Sequence, residues 1–177
     1  MTGYLPFHRW SMIAGVVLTA ALLPVTLALA VPMHNDPNGF EDIPWGAAFS
    51  ESDRFTKVED ADRVQTYELK SASPTLGPAK VDSMRFNTID GKFARVIVRY
   101  SGRETHDRIL GFLQDRFGPL DRTLGQIAAG AVKFFNWQGP DSEIILRYDV
   151  RTGQGIIFFE SQVFRAKFTE STTPSGF

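Results

Sequence analysis

The chain has 177 residues, 43% hydrophobic and 22% charged, with a formal net charge of −1. That length supports one domain with a core large enough to stand without staples, and the near-zero charge excludes a general nucleic-acid binder. With no cysteine, disulfides, thiolate metal sites, a cysteine nucleophile and a lipid-modified cysteine are excluded.

From Trp10 to Met33 no residue is charged. Met12 to Met33 is a run of about 22 residues, roughly 33 Å as a helix, which matches a bilayer core. Pro24 falls inside it, and membrane helices tolerate proline. His8 and Arg9 precede the run. Asp36, Glu41 and Asp42 follow it, with no Lys or Arg before Arg54. The positive-inside rule puts residues 1–11 in the cytoplasm and the domain in the periplasm, as a single-pass protein of a bacterial inner membrane. Arg9 and Trp10 suit the membrane interface. The competing reading is a signal peptide cleaved after Ala30, because Ala28-Leu29-Ala30 is an A-x-A site. The apolar run exceeds the usual h-region, which favours a retained anchor over residues 12–33.

Residues 34–48 read as a linker in which Asp36-Pro37-Asn38-Gly39 is a turn and Phe40, Ile43 and Trp45 pin the segment to a domain over 49–168. Ser50 and Asp53 are candidates to cap a short helical turn, and residues 56–63 read as solvated. Val64 to Ser71 alternates as a strand. Two prolines make 73–78 a loop. Val81 to Ile89 and Phe93 to Tyr100 flank Asp90-Gly91, which predicts a hairpin with a type I′ turn. Simple alternation puts Ala94, Val96, Val98 and Tyr100 on one face and Phe93, Arg95, Ile97 and Arg99 on the other.

Over 103–117 the period changes. His106, Ile109, Leu110, Leu113 and Phe117 recur at three- and four-residue steps, Glu104 and Arg116 complement the helix dipole, and Gly118-Pro119 stops the helix. A loop follows. Strands are expected at Ala131 to Gln138, Glu143 to Val150 and Gly155 to Phe164, then a loose tail over 169–177. The order predicts an α+β fold: an antiparallel sheet of about six strands with one main helix on a face, preceded by a transmembrane helix.

Candidate chemistry is sparse. His34, Asn35 and Asp36 lack a second histidine at ligand spacing. His106 and Asp107 are adjacent on a helix and do not face each other. Glu59, Asp60 and Asp62 are too local to oppose one another across a cleft. No nucleophile or zinc motif is present, nor a phosphate loop, so no catalytic, metal or cofactor residue is assigned. The aromatic load is more informative, with phenylalanine alone counting 15. Phe134 and Phe135 point to opposite faces of one strand, as do Phe158 and Phe159. One of each pair must leave the helix-covered side. Trp45, Phe134, Phe135, Trp137, Phe158 and Phe159 are therefore the candidate interaction residues.

Four segments, GFEDIPWGAAF from Gly39, MRFNTIDGKFARVIVRYSG from Met84, ILGFLQDRFGPL from Ile109 and FFNWQGPDSEIILRYD from Phe134, carry a resemblance. Their order resembles an uncharacterised family of bacterial exported proteins with GF..I.WG, hairpin and W.G....I.L.Y motifs. The resemblance spans about Gly39 to Phe164 and implies export and an α+β domain. It implies no catalytic residue.

These features predict a non-enzymatic accessory subunit of a larger bacterial membrane complex, respiratory or photosynthetic. Its partners would be membrane lipids through residues 12–33 and other subunits. The alternative is a free periplasmic module for a small or lipidic ligand, released by cleavage at Ala30.

Overall fold

The structure is a computed structural model that describes residues 30–70, 73–120 and 126–172. Arg9, Trp10 and most of the expected membrane span lie outside those residues. The last four residues of the span, Ala30 to Met33, are described, and they are not helical. Val31–Pro32 forms strand β1, paired in parallel with Trp137 and Gln138, and the Met33 amide donates to the Gln138 carbonyl. No helix among the described residues is long and apolar enough to cross a membrane. Ala30 to Met33 are therefore not part of a membrane helix, and the first strand begins at Val31.

Two short strands follow and pair with each other, β2 (Gly39–Phe40) and β3 (Ile43–Pro44). Next come β4 (Phe55–Ala61), β5 (Val64–Leu69), the small hairpin β6 (Thr75–Leu76) and β7 (Ala79–Lys80), β8 (Ser83–Ile89) and β9 (Lys92–Ser101). Helix α1 (Arg103–Phe117) crosses to β10 (Gln126–Ala129), β11 (Val132–Gln138), β12 (Ser142–Asp149) and β13 (Gln154–Ser161), and α2 (Gln162–Thr172) closes the chain. The main sheet has nine strands in the order β1-β11-β12-β13-β9-β8-β5-β4, with β10 also on β11. Two meanders, β4-β5-β8-β9 and β11-β12-β13, meet where β13 pairs with β9.

The fold is α+β, as the sequence predicts, but larger and mixed. Among the described residues the sheet has nine strands rather than about six, β1 is parallel, and there are two helices. Most of the stretch read as solvated, residues 56–63, belongs to edge strand β4 (Phe55–Ala61). Only Phe55 is buried there, so no alternation marks it. The expected helical turn is instead a bend in which the Ser52 hydroxyl accepts from the amides of Arg54 and Phe55. The last strand ends at Ser161, and Phe164 and Phe168 belong to α2. The Asp90-Gly91 hairpin forms as expected, with φ of 52° and 72° and Ile89 opposite Lys92.

Face assignment on β9 differs for a local reason. The register slips between Asn87 and Thr88, so Asn87 faces Arg95 while Thr88 faces Phe93. This β-bulge turns Phe93 into the main core beside Val96, Val98 and Tyr100. Ala94 goes to the opposite side, with Ile89 and Phe168. Beyond the bulge the strand start pairs with the linker: Gly46 donates to the Phe93 carbonyl and Phe93 to that of Ala47.

That linker is a strap. Phe40 is buried and Ile43 and Trp45 pack on the core. His34 donates its amide to the Phe117 carbonyl at the end of α1. Trp45 Nε1 donates to the Ser142 hydroxyl at 2.9 Å and its ring stacks on Phe93 at 4.9 Å. The Asp36 carboxylate accepts from the amides of Asn38, Asp141 and Ser142 at 3.0, 2.7 and 3.0 Å. Burial alone would raise this carboxyl, but those hydrogen bonds outweigh it and hold the group below its usual range. Gly139 makes room, since a Cβ there would stand 2.2 Å from Asp36 Oδ2. Asp36→Ala should lower stability by about 3 kcal/mol, read from denaturant midpoints, because several charge-assisted bonds go at once. An unchanged midpoint would show that the strap is passive.

Candidate functional site

The sheet has two unlike faces, and each offers a different kind of site. Cross-strand rows define the face under α1. Val98, Ile157, Leu146 and Phe135 are successive partners, as are Val96, Phe159, Ile144 and Trp137. All eight are buried. Helix α1 sets Ile109, Leu113 and Phe117 on them. Trp137 Nε1 donates to the Gly118 carbonyl at 2.9 Å, which ties the end of α1 to the sheet.

The third row of this face is Tyr100, Gly155, Tyr148 and Lys133. Gly155 carries the geometry, because a Cβ on it would lie 1.9 Å from the Tyr100 ring. Without that Cβ the Tyr100 ring lies across β13, parallel to Tyr148 with centroids 6.4 Å apart. His106 from α1 lies flat on Tyr148 at 3.8 Å and meets the Tyr100 hydroxyl through Nδ1 at 2.8 Å. His106 is 4% exposed. Burial, with a smaller push from Lys133, moves it down to about 4, against an opposing pull from Asp107. Burial also pushes the Tyr100 phenol above its ordinary value. Both groups are therefore neutral near pH 7. The buried phenol proton has its acceptor at Nδ1, which leaves the imidazole proton on Nε2.

Beside this stack lies a cavity of about 700 Å³. Arg103, His106, Asp107, Leu110 and Gln114 line it from α1, Lys133 and Phe135 from β11, and Val150, Arg151 and Thr152 from the β12–β13 turn. A histidine that titrates near 4 is a weak base at neutral pH, and Asp107 is its helix neighbour rather than its orienting partner. The arrangement suits hydrogen bonding better than proton transfer. Among the described residues no group of His, Asp and Glu is placed to hold a metal ion.

The second face begins with a polar row that spans the sheet. Glu59, Thr66, Asn87, Arg95, Glu160, Glu143 and Gln138 are successive cross-strand partners. Helix α2 covers its middle: Arg165 pairs with Glu143, and Arg95 lies 3.8 Å over the Phe168 ring. Arg95 Nε stands 2.8 Å from Glu160 Oε1. Burial pushes the Glu160 carboxyl up, and Arg95 and Arg165 pull it back only in part.

Two further rows lie beyond the contacts of α2. Arg85, Ile97, Phe158 and Ile145 form one, and Arg99, Ile156, Arg147 and Phe134 the other. Their apolar members are half-buried, and Arg99 and Arg147 are exposed. Arg85 pairs with Glu68. Among the described residues neither Arg99 nor Arg147 has a carboxylate within ion-pair distance. Arg147 instead lies 5.2 Å from the Phe134 ring centroid.

The six sequence candidates thus divide. Phe134 and Phe158 reach the second face. Phe135, Trp137 and Phe159 are 2%, 0% and 3% exposed and sit in the core, where they offer a partner no surface. Trp45 is half-buried and holds the strap. Sequence reasoning missed the arginines of the second face. Arg85, Arg99 and Arg147 are far apart in sequence, and only strand register brings them together.

Gly155→Ala should destabilise the fold by about 2 kcal/mol, because the Tyr100 ring has nowhere to go without disturbing His106. In unfolding experiments, stability should fall from pH 6.5 towards pH 4. There the unfolded chain binds a proton at His106 that the folded chain refuses, a loss of up to about 3 kcal/mol. His106→Gln should flatten this window; the same slope in the variant would assign it to other groups.

Comparison with known protein families, curated proteins and solved structures returned no match. The functional reading therefore rests on the geometry of the two faces.

Proposed function

We propose that the chain is a non-enzymatic docking domain, an accessory subunit of a bacterial membrane complex. Its apolar N-terminal segment would hold it on the periplasmic side. The observation that carries the reading is the part of the second sheet face that no described element covers. Ile97, Phe158, Ile145, Ile156 and Phe134 form an apolar strip, and Arg99 and Arg147 flank Ile156 with no carboxylate within ion-pair distance among the described residues. Exposed apolar strips rimmed by unsatisfied charge mark protein interfaces, and arginine is enriched in them. The fitting partner is a protein surface with an apolar ridge bordered by carboxylates.

The start of the fold agrees with a short tether. Met12 to Leu29 would span about 27 Å as a helix, close to a bilayer core. β1 begins at Val31. A domain anchored this way stays against its membrane, where another subunit can meet it.

Native membranes solubilised in mild detergent should give the tagged full-length chain in a heteromeric complex, with its N-terminus at Met1 or Thr2. Arg147→Glu with Phe158→Ser should release it as a folded monomer. A lone monomer of about 20 kDa from wild-type membranes, a homo-oligomer, or binding of this face to anionic vesicles alone would overturn the reading. A mature N-terminus at Val31 would remove the anchor.

A further inference from the structure

The geometry points to a second site on the other side of the sheet: the cavity beside His106 binds a small organic anion with an apolar body. This goes beyond the docking reading and does not depend on it.

The charge at the cavity is unbalanced. Arg103, Lys133 and Arg151 border it against the single carboxylate of Asp107. Asp107 is 3.9 Å from Arg103, so it offsets that cation first. Among the described residues Lys133 and Arg151 have no carboxylate within ion-pair distance. Lys133 is close enough to His106 to help depress its titration. An anion between them would relieve the repulsion among these cations.

The hydrogen-bond inventory adds a directed donor. Tyr100 occupies Nδ1 of His106, and the phenol keeps its proton. The opposite edge of the ring, Nε2–H, has no partner among the described residues, and His106 lines the cavity. This donor is not sealed in the core but open to the cavity, where a ligand oxygen can accept from it. Because the imidazole is neutral and stacked on Tyr148, it donates without changing protonation state.

The rest of the lining selects the body of the ligand. Leu110, Phe135 and Val150 supply an apolar wall. Val150 is 52% exposed, an unusual place to leave a large apolar side chain. Inorganic anions would meet the cations and leave this wall wet. A carboxylate on a ring or short chain satisfies both, in the way ligand sites combine apolar lining with a few placed polar groups.

Calorimetry on the purified full-length chain tests this with three probes: benzoate, benzylamine and inorganic phosphate. Benzoate should bind with a Kd of about 0.1 mM, and both other probes at least about tenfold more weakly. Lys133→Gln with Arg151→Gln, both at non-core positions, should weaken benzoate at least about tenfold. Arg147→Glu with Phe158→Ser, on the opposite face, should leave it unchanged. In the labelled wild-type protein, benzoate should shift the Nε2 resonance of His106. Absence of benzoate binding at millimolar concentration overturns the proposal. So does equal affinity for benzylamine or phosphate, or an Nε2 signal that does not respond. Loss of binding only in the opposite-face variant would also overturn it.

Discussion

The fold hangs on one seam. β9 and β13 are the last strands of two separate meanders, and their pairing makes a single sheet of them. The seam is closed at both ends by side chains as well as backbone. At one end Arg95 meets Glu160; at the other Tyr100 lies over Gly155. Each terminus serves a different face. The first anchors the ionic layer under α2, and the second builds the aromatic bed for His106. A change at Gly155 therefore reaches the cavity, whereas a change at Arg95 reaches the C-terminal helix.

The two faces show how one sheet solves two burial problems. Under α1 the rows are apolar throughout, and hydrophobic burial suffices to hold the helix. Under α2 the buried row contains two glutamates side by side on neighbouring strands, Glu143 and Glu160. Such a pair is tolerable only when cations come with it. Arg95 is supplied by the next strand and Arg165 by α2 itself. The helix is thus held by charge matching as much as by Phe168, and its placement is specific. That specificity explains why α2 stops short of Phe158 and Phe134. In the next row the carboxylate, Glu68, is already paired with Arg85.

Periodicity made α1, the Asp90-Gly91 hairpin and the three later strands legible in the sequence. It failed where a rule of period was broken locally. The bulge at Ala94 exchanges the faces of Phe93 and Ala94, and nothing in the residue types announces it. β4 is nearly all exposed, so it has no pattern to read. α2 contains apolar residues, but its opening follows directly from a strand with no glycine or proline between them, which hid the change of period. Of the candidate sites, the outward phenylalanines were legible from the alternation of Phe134-Phe135 and Phe158-Phe159. The cavity was not. His106 gains its role only when Gly155 lets Tyr100 reach it, and Lys133 and Arg151 join it from the edge of another meander.

The strap also orders events in time. Its anchoring bonds join residues far apart in the chain: Asn35 to Arg116 over 81 positions, Trp45 to Ser142 over 97, Asp36 to Asp141 over 105. Long loops close slowly, and contacts of high sequence separation come late in folding. A chain made from its N-terminus onward must therefore hold β1 and the strap idle until β11 and β12 have followed. Until β1 then docks, the edge of β11 that it will cover is open to any other strand. The proline in β1, the brevity of that strand and the polar turn after it keep the waiting segment from pairing with the wrong neighbour.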